Sequence, residues 1–560
     1  MSDSTGDLIT RVYSNFRGVD FRGEEINLRR SPDSLNVWKD YRETESIRTR
    51  PGMVLRNSLG ERTNGIFFYK GSMIVHSGNQ LLREKNGSFV VIHDDVNDAP
   101  SNAFVYEDIW YFMDGENYFQ YDGTELKEVE AYIPTTSIAR KPSGGGSTYE
   151  DVNMLTGWRK NSFLSDGNSK DYYLDAKNIE EVRSVTVDGK ETIKYSVDLA
   201  NGVVKFADTP SEPLTDGQDN VVIEFKKTVD KYKKSILNCT LLQVFDNRVF
   251  FSGNPDYPNV VWHCSLNNPG YISDLDYYRE GMDAAQIKGL VAGNNALWVF
   301  REPSEANTNV FYHTPTLDDD YGKIYPSTHS SVTTGCVGKA INFNDDIVFF
   351  SERGMEGISG DVTTEQVVAH RSTLVDRKMI SEPNYKNMIL AEWEGYLCVF
   401  IGKSVYLADS RTAFTNEDHI EYDWFLWQLE KEVTSATVHD GVLYIGTYDG
   451  VYTLTDRECD VESWWTTPLD KFKYPHKMKT TNKRGGVAEA TGEEISVYVK
   501  TNKDDDWDLV GTFNDVTDAF VYRIKKKKFK DLCLKFYSPK RFSLESATLE
   551  CFVGGYLKNL

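Results

Sequence analysis

A chain of 560 residues at about 150 residues per domain has room for three to four domains and a sizeable core. With 40% apolar and 26% charged residues, and no apolar run near the roughly 18 residues needed to cross a bilayer, it reads as a globular protein without a membrane span. The balance of 63 basic to 85 acidic residues, net −22, argues against ordinary phosphate-backbone binding, which draws its affinity from Lys and Arg displacing counterions.

The first sixteen residues lack a basic n-region and an apolar h-region, so no secretory signal is expected and the compartment is read as a cytoplasm. Cysteines at 239, 264, 336, 398, 459, 533 and 551 show no C-x-x-C spacing. They are expected to be small buried thiols in a reducing compartment.

The wealth of Tyr, Phe, Trp and Gly, with little 3.6-residue periodicity, marks a strand-and-turn protein. One pattern recurs: a short apolar strand, a turn of Asp, Asn, Gly or Glu, and a second, strongly apolar strand. It occupies 66–75, 104–112, 242–251, 290–300, 340–350, 390–400 and 436–445. Three copies continue, at 115–123, 402–409 and 449–456, into a strand expected to alternate inward and outward. The spacing is close to 48 residues once a long interval is read as one repeat plus an insertion of about 90, within the range of propeller blades. The predicted fold is all-β: a β-propeller of six to eight blades with an inserted small β-sandwich and a C-terminal β-sandwich. Two stacked sandwiches are the alternative that uses the same hairpins.

The predicted organisation is an N-terminal segment 1–60 that closes the propeller or docks to a neighbour, propeller at 61–140 and 233–460, the inserted sandwich at 141–232 and the C-terminal sandwich at 461–560. The glycine-rich run 142–147 marks a flexible exit into the insertion. Strands are expected there near 182–187, 193–197, 203–207 and 221–225, with hairpin turns at Asp188-Gly189 and Asn201-Gly202. In the C-terminal region they are expected near 495–500, 509–512 and 532–537. The run 524–530 (IKKKKFK) concentrates base in an acidic chain. It reads as a solvated edge that deters strand pairing, or as a docking surface for an acidic subunit or for DNA.

Catalytic motifs are missing: no G-x-S-x-G, H-E-x-x-H, Walker A loop or G-x-G-x-x-G after a strand. Gly144-Gly145-Gly146 lacks the Lys-Ser/Thr that would hold phosphate. The acidic runs 318–320 and 504–506 lack the Gly and distal Glu of a calcium loop and read as solvated turns. Histidines at 76, 93, 263, 313, 329, 370, 419, 439 and 476 show no metal-ligand spacing, and His439, beside Asp440-Gly441, reads as a turn residue. No catalytic residue, cofactor-binding residue or metal ligand is nominated, and no cofactor is expected.

The opening Tyr13-Ser14-Asn15-Phe16-Arg17-Gly18-Val19-Asp20, then Arg30-Ser31-Pro32-Asp33-Ser34-Leu35-Asn36-Val37-Trp38 and Ile47-Arg48-Thr49-Arg50-Pro51-Gly52, resembles the N-terminus of minor structural proteins of tailed phages. The resemblance continues through Tyr132-Ile133-Pro134-Thr135-Thr136, the run 144–156, 160–163 and Phe251-Ser252-Gly253-Asn254-Pro255. In short-tailed phages, proteins similar to this form the tail nozzle, also called tail tubular or muzzle proteins. The resemblance implies a non-enzymatic virion protein assembled in the host bacterial cytoplasm. It implies a homo-oligomeric, hexameric ring whose partners are the head-to-tail adaptor, other tail proteins and tail fibres, with dsDNA passing through the lumen without sequence-specific binding. Two rivals remain: a carbohydrate-binding propeller that recognises a host, and a propeller glycoside hydrolase. The hydrolase needs paired carboxylates, which an acidic chain can supply, but the S-x-D-x-G-x-T-W repeat of sialidases is missing.

Overall fold

The computed structural model describes residues 7–23, 27–40, 46–306, 308–319, 322–359, 367–416, 419–457, 460–502, 506–525 and 528–556. Of the residues singled out above, Asp320, Cys459, Asp504, Asp505, Lys526, Lys527 and the first six of the chain lie outside them.

The protein is all-β, and its repeating element is a four-stranded antiparallel sheet that serves as a propeller blade. Among the described residues there are seven, built from strands within 63–93, 102–128, 241–279, 287–329, 340–370, 389–428, and 435–455 together with Gly52–Ser58. Each begins with a hairpin whose two turn residues both have positive φ, the mark of a type I′ turn: Lys70-Gly71, Glu107-Asp108, Asp246-Asn247, Asn294-Asn295, Asn344-Asp345, Glu394-Gly395 and Asp440-Gly441. Asn, Asp and Gly tolerate this left-handed backbone, and its twist matches that of the strands it joins. The second strand of every blade is buried at nearly every position, because neighbours cover both its faces. This explains the continuous apolar runs.

The third strands do not alternate as expected. Val405, Tyr406, Leu407 and Ala408 are all wholly buried. Their strand, Ser404–Asn416, is covered on its edge by the long strand His419–Gln428. The blade at 435–455 takes its fourth strand from the N-terminal part of the chain: Gly52–Ser58 pairs antiparallel with Gly450–Thr455.

The chain divides into two compact units. The first, residues 1–68, 73–78 and 334–560, carries the C-terminal sandwich. Eleven strands there form one hydrogen-bonded system, to which the N-terminal part contributes Leu8–Ser14, Val37–Trp38 and Ile47–Thr49. The 16-residue strand Gly486–Thr501 changes partners along its length, pairing with Ala519–Tyr522 and Phe542–Tyr556 at one end and with Asp508–Val516 and Leu532–Ser538 at the other.

The second unit, residues 69–72 and 79–333, carries the inserted sandwich. A six-stranded and a three-stranded sheet enclose Phe163, Tyr172, Val185, Val204, Ile223 and Phe225. The six-stranded sheet includes Thr135–Arg140 and Trp158–Phe163, paired in parallel, whose mostly polar sequences hid them as strands. The glycine run is a tight turn rather than a flexible exit: Gly144, Gly145 and Gly146 all have positive φ and return the chain so that Ser147–Thr148 pairs with Ser137 and Ile138.

Candidate functional site

Part of the sequence that carries the resemblance meets in two polar joints. In the first unit, the stretch from Asn15 to Gly52 is a strap. Arg17 Nε lies 2.9 Å and Arg30 Nη2 2.6 Å from the two carboxylate oxygens of Asp423. Burial pushes the Asp423 carboxyl up, and the two guanidiniums pull it back. Beside it Gly18, with φ 78°, lies flat on Trp424, and the Val19 N–H donates to the Trp424 carbonyl at 2.7 Å.

Asn36, itself in the left-handed region, joins three segments. Its Nδ2 donates to the Glu462 carbonyl at 2.8 Å, while its Oδ1 accepts from the Gln428 N–H at 2.7 Å and from Arg50 Nε at 3.0 Å. Arg50 goes on to the Gln428 carbonyl and the Glu430 carboxylate. Leu35 and Trp464 exchange both backbone hydrogen bonds, and the Phe542 N–H donates to Thr49 Oγ1. Trp38 packs against Trp393, Tyr396 and Trp427 with ring centroids 5.3–5.7 Å away. The strap thus fastens the blade at 389–428 to the C-terminal sandwich.

In the second unit Asn153 plays the same part at the root of the insertion. It is 1% exposed. Its Nδ2 donates to the carbonyls of Tyr132 and Gly270, both at 2.8 Å, and its Oδ1 accepts from the N–H groups of Leu155 and Ile272. All four capacities of the amide are used. Glu150 accepts from Tyr132 and from the Thr135 N–H, and Ser273 donates to Asp151. Nearby Asp276 is pushed up to about 6 by burial, with Asp151 and Asp274 adding to the rise.

Two histidine clusters have the composition of an acid–base site. Glu280 and His313 are wholly buried. The Tyr325 carbonyl can only accept, so His313 Nδ1 carries a hydrogen toward it at 2.8 Å and Nε2 faces Glu280 at 2.8 Å, while Ser327 donates to the other Glu280 oxygen. His370 lies between Glu356, 3.2 Å from Nδ1, and Asp376, 2.5 Å from Nε2. Burial works against its charge, but hydrogen bonds to Asp376 and Glu356 outweigh that and lift it to about 9. In both clusters each ring nitrogen is engaged within the fold.

His439 ends a strand and stacks on Phe68 at 3.8 Å, and Asp318 ends a short hairpin strand. The six described cysteines are all buried. Among the described residues no group of His, Cys, Asp or Glu is arranged to hold a metal ion, and no helix is long and apolar enough to cross a membrane.

Each unit carries a cleft, and the lining of the one in the second unit includes Gly281, the residue after Glu280. One of about 480 Å³ in the first unit is lined by Arg48, Thr491, Glu493, Asp515 and Arg541. One of about 670 Å³ in the second is lined by Met282, Arg301, Phe311 and His329. Sequence reasoning nominated no site residue and quoted the strap only for its resemblance; the signal available was the density of arginines from Arg17 to Arg50 in a stretch without strand periodicity.

No family model matches the chain, and no curated protein does. Among solved structures it is similar to the computationally designed Ika8 protein, at 13% identity over 72% of this chain and 99% of that one, with a TM-score of 0.32. It is also similar to BamB from Moraxella catarrhalis, at 11% identity over 81% and 99% with a TM-score of 0.30, and to Hsv2 from Kluyveromyces lactis, at 9% identity over 66% and 98% with a TM-score of 0.26.

Proposed function

We propose that the chain is a structural subunit of a phage tail, forming with further copies a ring around the DNA ejection channel at the tail tip. The observation that carries this reading is that the residues resembling phage nozzle proteins are committed to joints: Arg17, Gly18, Asn36 and Arg50 in the strap, and Glu150, Asp151 and Asn153 at the insertion. A subunit that must hold shape while DNA passes needs its modules fixed, and networks of hydrogen bonds and ion pairs such as these do that. The charge supports the same role. Six copies carry about −130, and a like-charged wall keeps a polyanion mobile instead of adsorbing it.

Electron-microscope class averages of the purified chain, with its mass in solution, test the reading. Six-fold rings with an open centre are the expected result. Retention on dsDNA at moderate salt removes the slippery channel. Specific retention on host cell-wall carbohydrate, or glycan turnover lost on replacing one carboxylate, gives the assignment to a host-recognition propeller or a glycoside hydrolase instead.

A further inference from the structure

The net charge of −22 conceals a strong asymmetry. Residues 461–560 hold 18 Lys and Arg against 14 Asp and Glu, net +4, while the first 460 residues hold 45 against 71, net −26. The C-terminal sandwich is a basic module on an acidic chain.

Its cations gather at one end. Strand Lys477–Thr481 pairs with Lys528–Phe529, and Thr481 Oγ1 donates to the Lys525 carbonyl. The turn 482–485 lies against Tyr522 and Arg523, so close that a Cβ on Gly485 would strike the Tyr522 carbonyl. This brings together Lys483, Arg484, Arg523, Lys525, Lys528 and Lys530, all exposed. None has an ion-pair partner among the described residues, whereas Lys540 and Arg541 of the same sandwich pair with Glu493 and Asp456.

The acid is also concentrated. No Lys or Arg occurs between Lys85 and Lys127, a stretch that contains nine acidic residues and most of one blade. At one end of that blade Asp114 accepts hydrogen bonds from the Asn97, Glu116 and Asn117 N–H groups, tying the loop 94–98 to the turn 114–117. Asp94, Asp95, Asp98 and Glu116 are thereby gathered on one exposed end.

We propose that the basic end of the C-terminal sandwich docks on the acidic end of this blade in a second copy of the chain. Two different patches make the contact, so it is heterologous and propagates from copy to copy until a ring closes. Charge complementarity steers the encounter and fixes the register. It also gives an acidic chain a way to meet itself despite its overall repulsion. The inference rests on the ring reading above, and it names the surfaces that build the ring.

The test is sedimentation velocity of the full chain at about 50 mM and about 500 mM salt, where the Debye length falls several-fold, with electron microscopy alongside. Two variants are compared: Lys525→Glu/Lys528→Glu/Lys530→Glu and Asp94→Lys/Asp95→Lys/Glu116→Lys. All six sites are exposed, and unchanged circular dichroism and melting show that each variant folds. The wild type is expected to associate at least tenfold more weakly at high salt. Each variant alone is expected to stay monomeric, and an equimolar mixture of the two to regain association. Rings that persist in both variants overturn the contact and leave the ring reading standing. A wild type that is monomeric at every salt and concentration overturns both. A basic patch that retains dsDNA in a Lys-dependent way without self-association assigns it to nucleic acid and overturns the contact.

Discussion

Arg30 and Asp423 form an ion pair of 2.6 Å in which both side chains are at least 95% buried. Two charges withdrawn from water are stable only as a set, and removing one partner strands the other. Arg30→Met is therefore expected to destabilise the first unit by about 3 kcal/mol, at the low end for a broken buried pair because Arg17 still faces Asp423. Arg30→Met/Asp423→Leu is expected to recover most of the loss. Urea midpoints of wild type, both single variants and the double variant give the coupling directly, and single variants that simply add would remove the strap from the account of stability.

Gly18 and Gly71 have nearly the same φ, 78° and 72°, but only Gly18 is crowded: a Cβ there would strike the Trp424 carbonyl, whereas Gly71 has nothing within 4 Å. Gly71→Ala is expected to cost about 1 kcal/mol, the left-handed backbone penalty alone. Gly18→Ala must in addition push the strap off its strand, breaking the Val19 to Trp424 hydrogen bond. A loss of about 3 kcal/mol or more is expected. Limited proteolysis is the second readout, with new cleavage near the strap in Gly18→Ala and none in Gly71→Ala.

The blade hairpins are legible in the sequence because their information is local: a two-residue turn, holding Gly, Asn or Asp in every copy, between two apolar strands, repeated seven times. The strap is not, because its partners are remote. Arg17 meets Asp423 across 406 positions, and Thr49 meets Phe542 across 493. Nothing in a window of ordinary length distinguishes an arginine destined for a buried carboxylate from one on the surface. The strands Thr135–Arg140 and Trp158–Phe163 escape for a related reason: their polar side chains, such as Thr136, Asn161 and Arg140, are satisfied by the root of the insertion rather than by water. The two patches of the proposed contact are visible in the sequence as charge, but the gathering of their side chains onto one end of a sandwich and one end of a blade is visible only in the fold.

Of the seven blade turns, Glu107-Asp108 contains neither Gly nor Asn. Glu at a left-handed position carries a penalty of about 1 kcal/mol that Asn largely escapes. Glu107→Asn is therefore expected to stabilise the second unit by about 0.5 kcal/mol, since Glu107 is exposed and the exchange disturbs no packing. The same exchange at Asn294, already well suited to its turn, is expected to work in reverse: Asn294→Glu destabilises by a similar amount. Thermal melts of the two variants check the sign, and a melting point lowered by Glu107→Asn would show that the turn is held by something other than its φ.

The His370 clamp makes a pH prediction whose direction follows from linkage. Its folded value, about 9, stands above the ordinary histidine value of 6.5. The folded state therefore holds the proton more tightly than the unfolded chain, and the resulting stability is complete below about pH 6.5 and lost as pH rises through about 9. The ring is partly exposed, so solvent screening reduces the contribution to about 1–2 kcal/mol. His370→Gln cannot carry charge between Glu356 and Asp376. It is expected to lower the urea midpoint at pH 6 and to leave stability nearly unchanged relative to wild type at pH 10, where the wild-type imidazole has also become neutral. A variant deficit of the same size at pH 6 and pH 10 would mean that the ring contributes packing rather than charge.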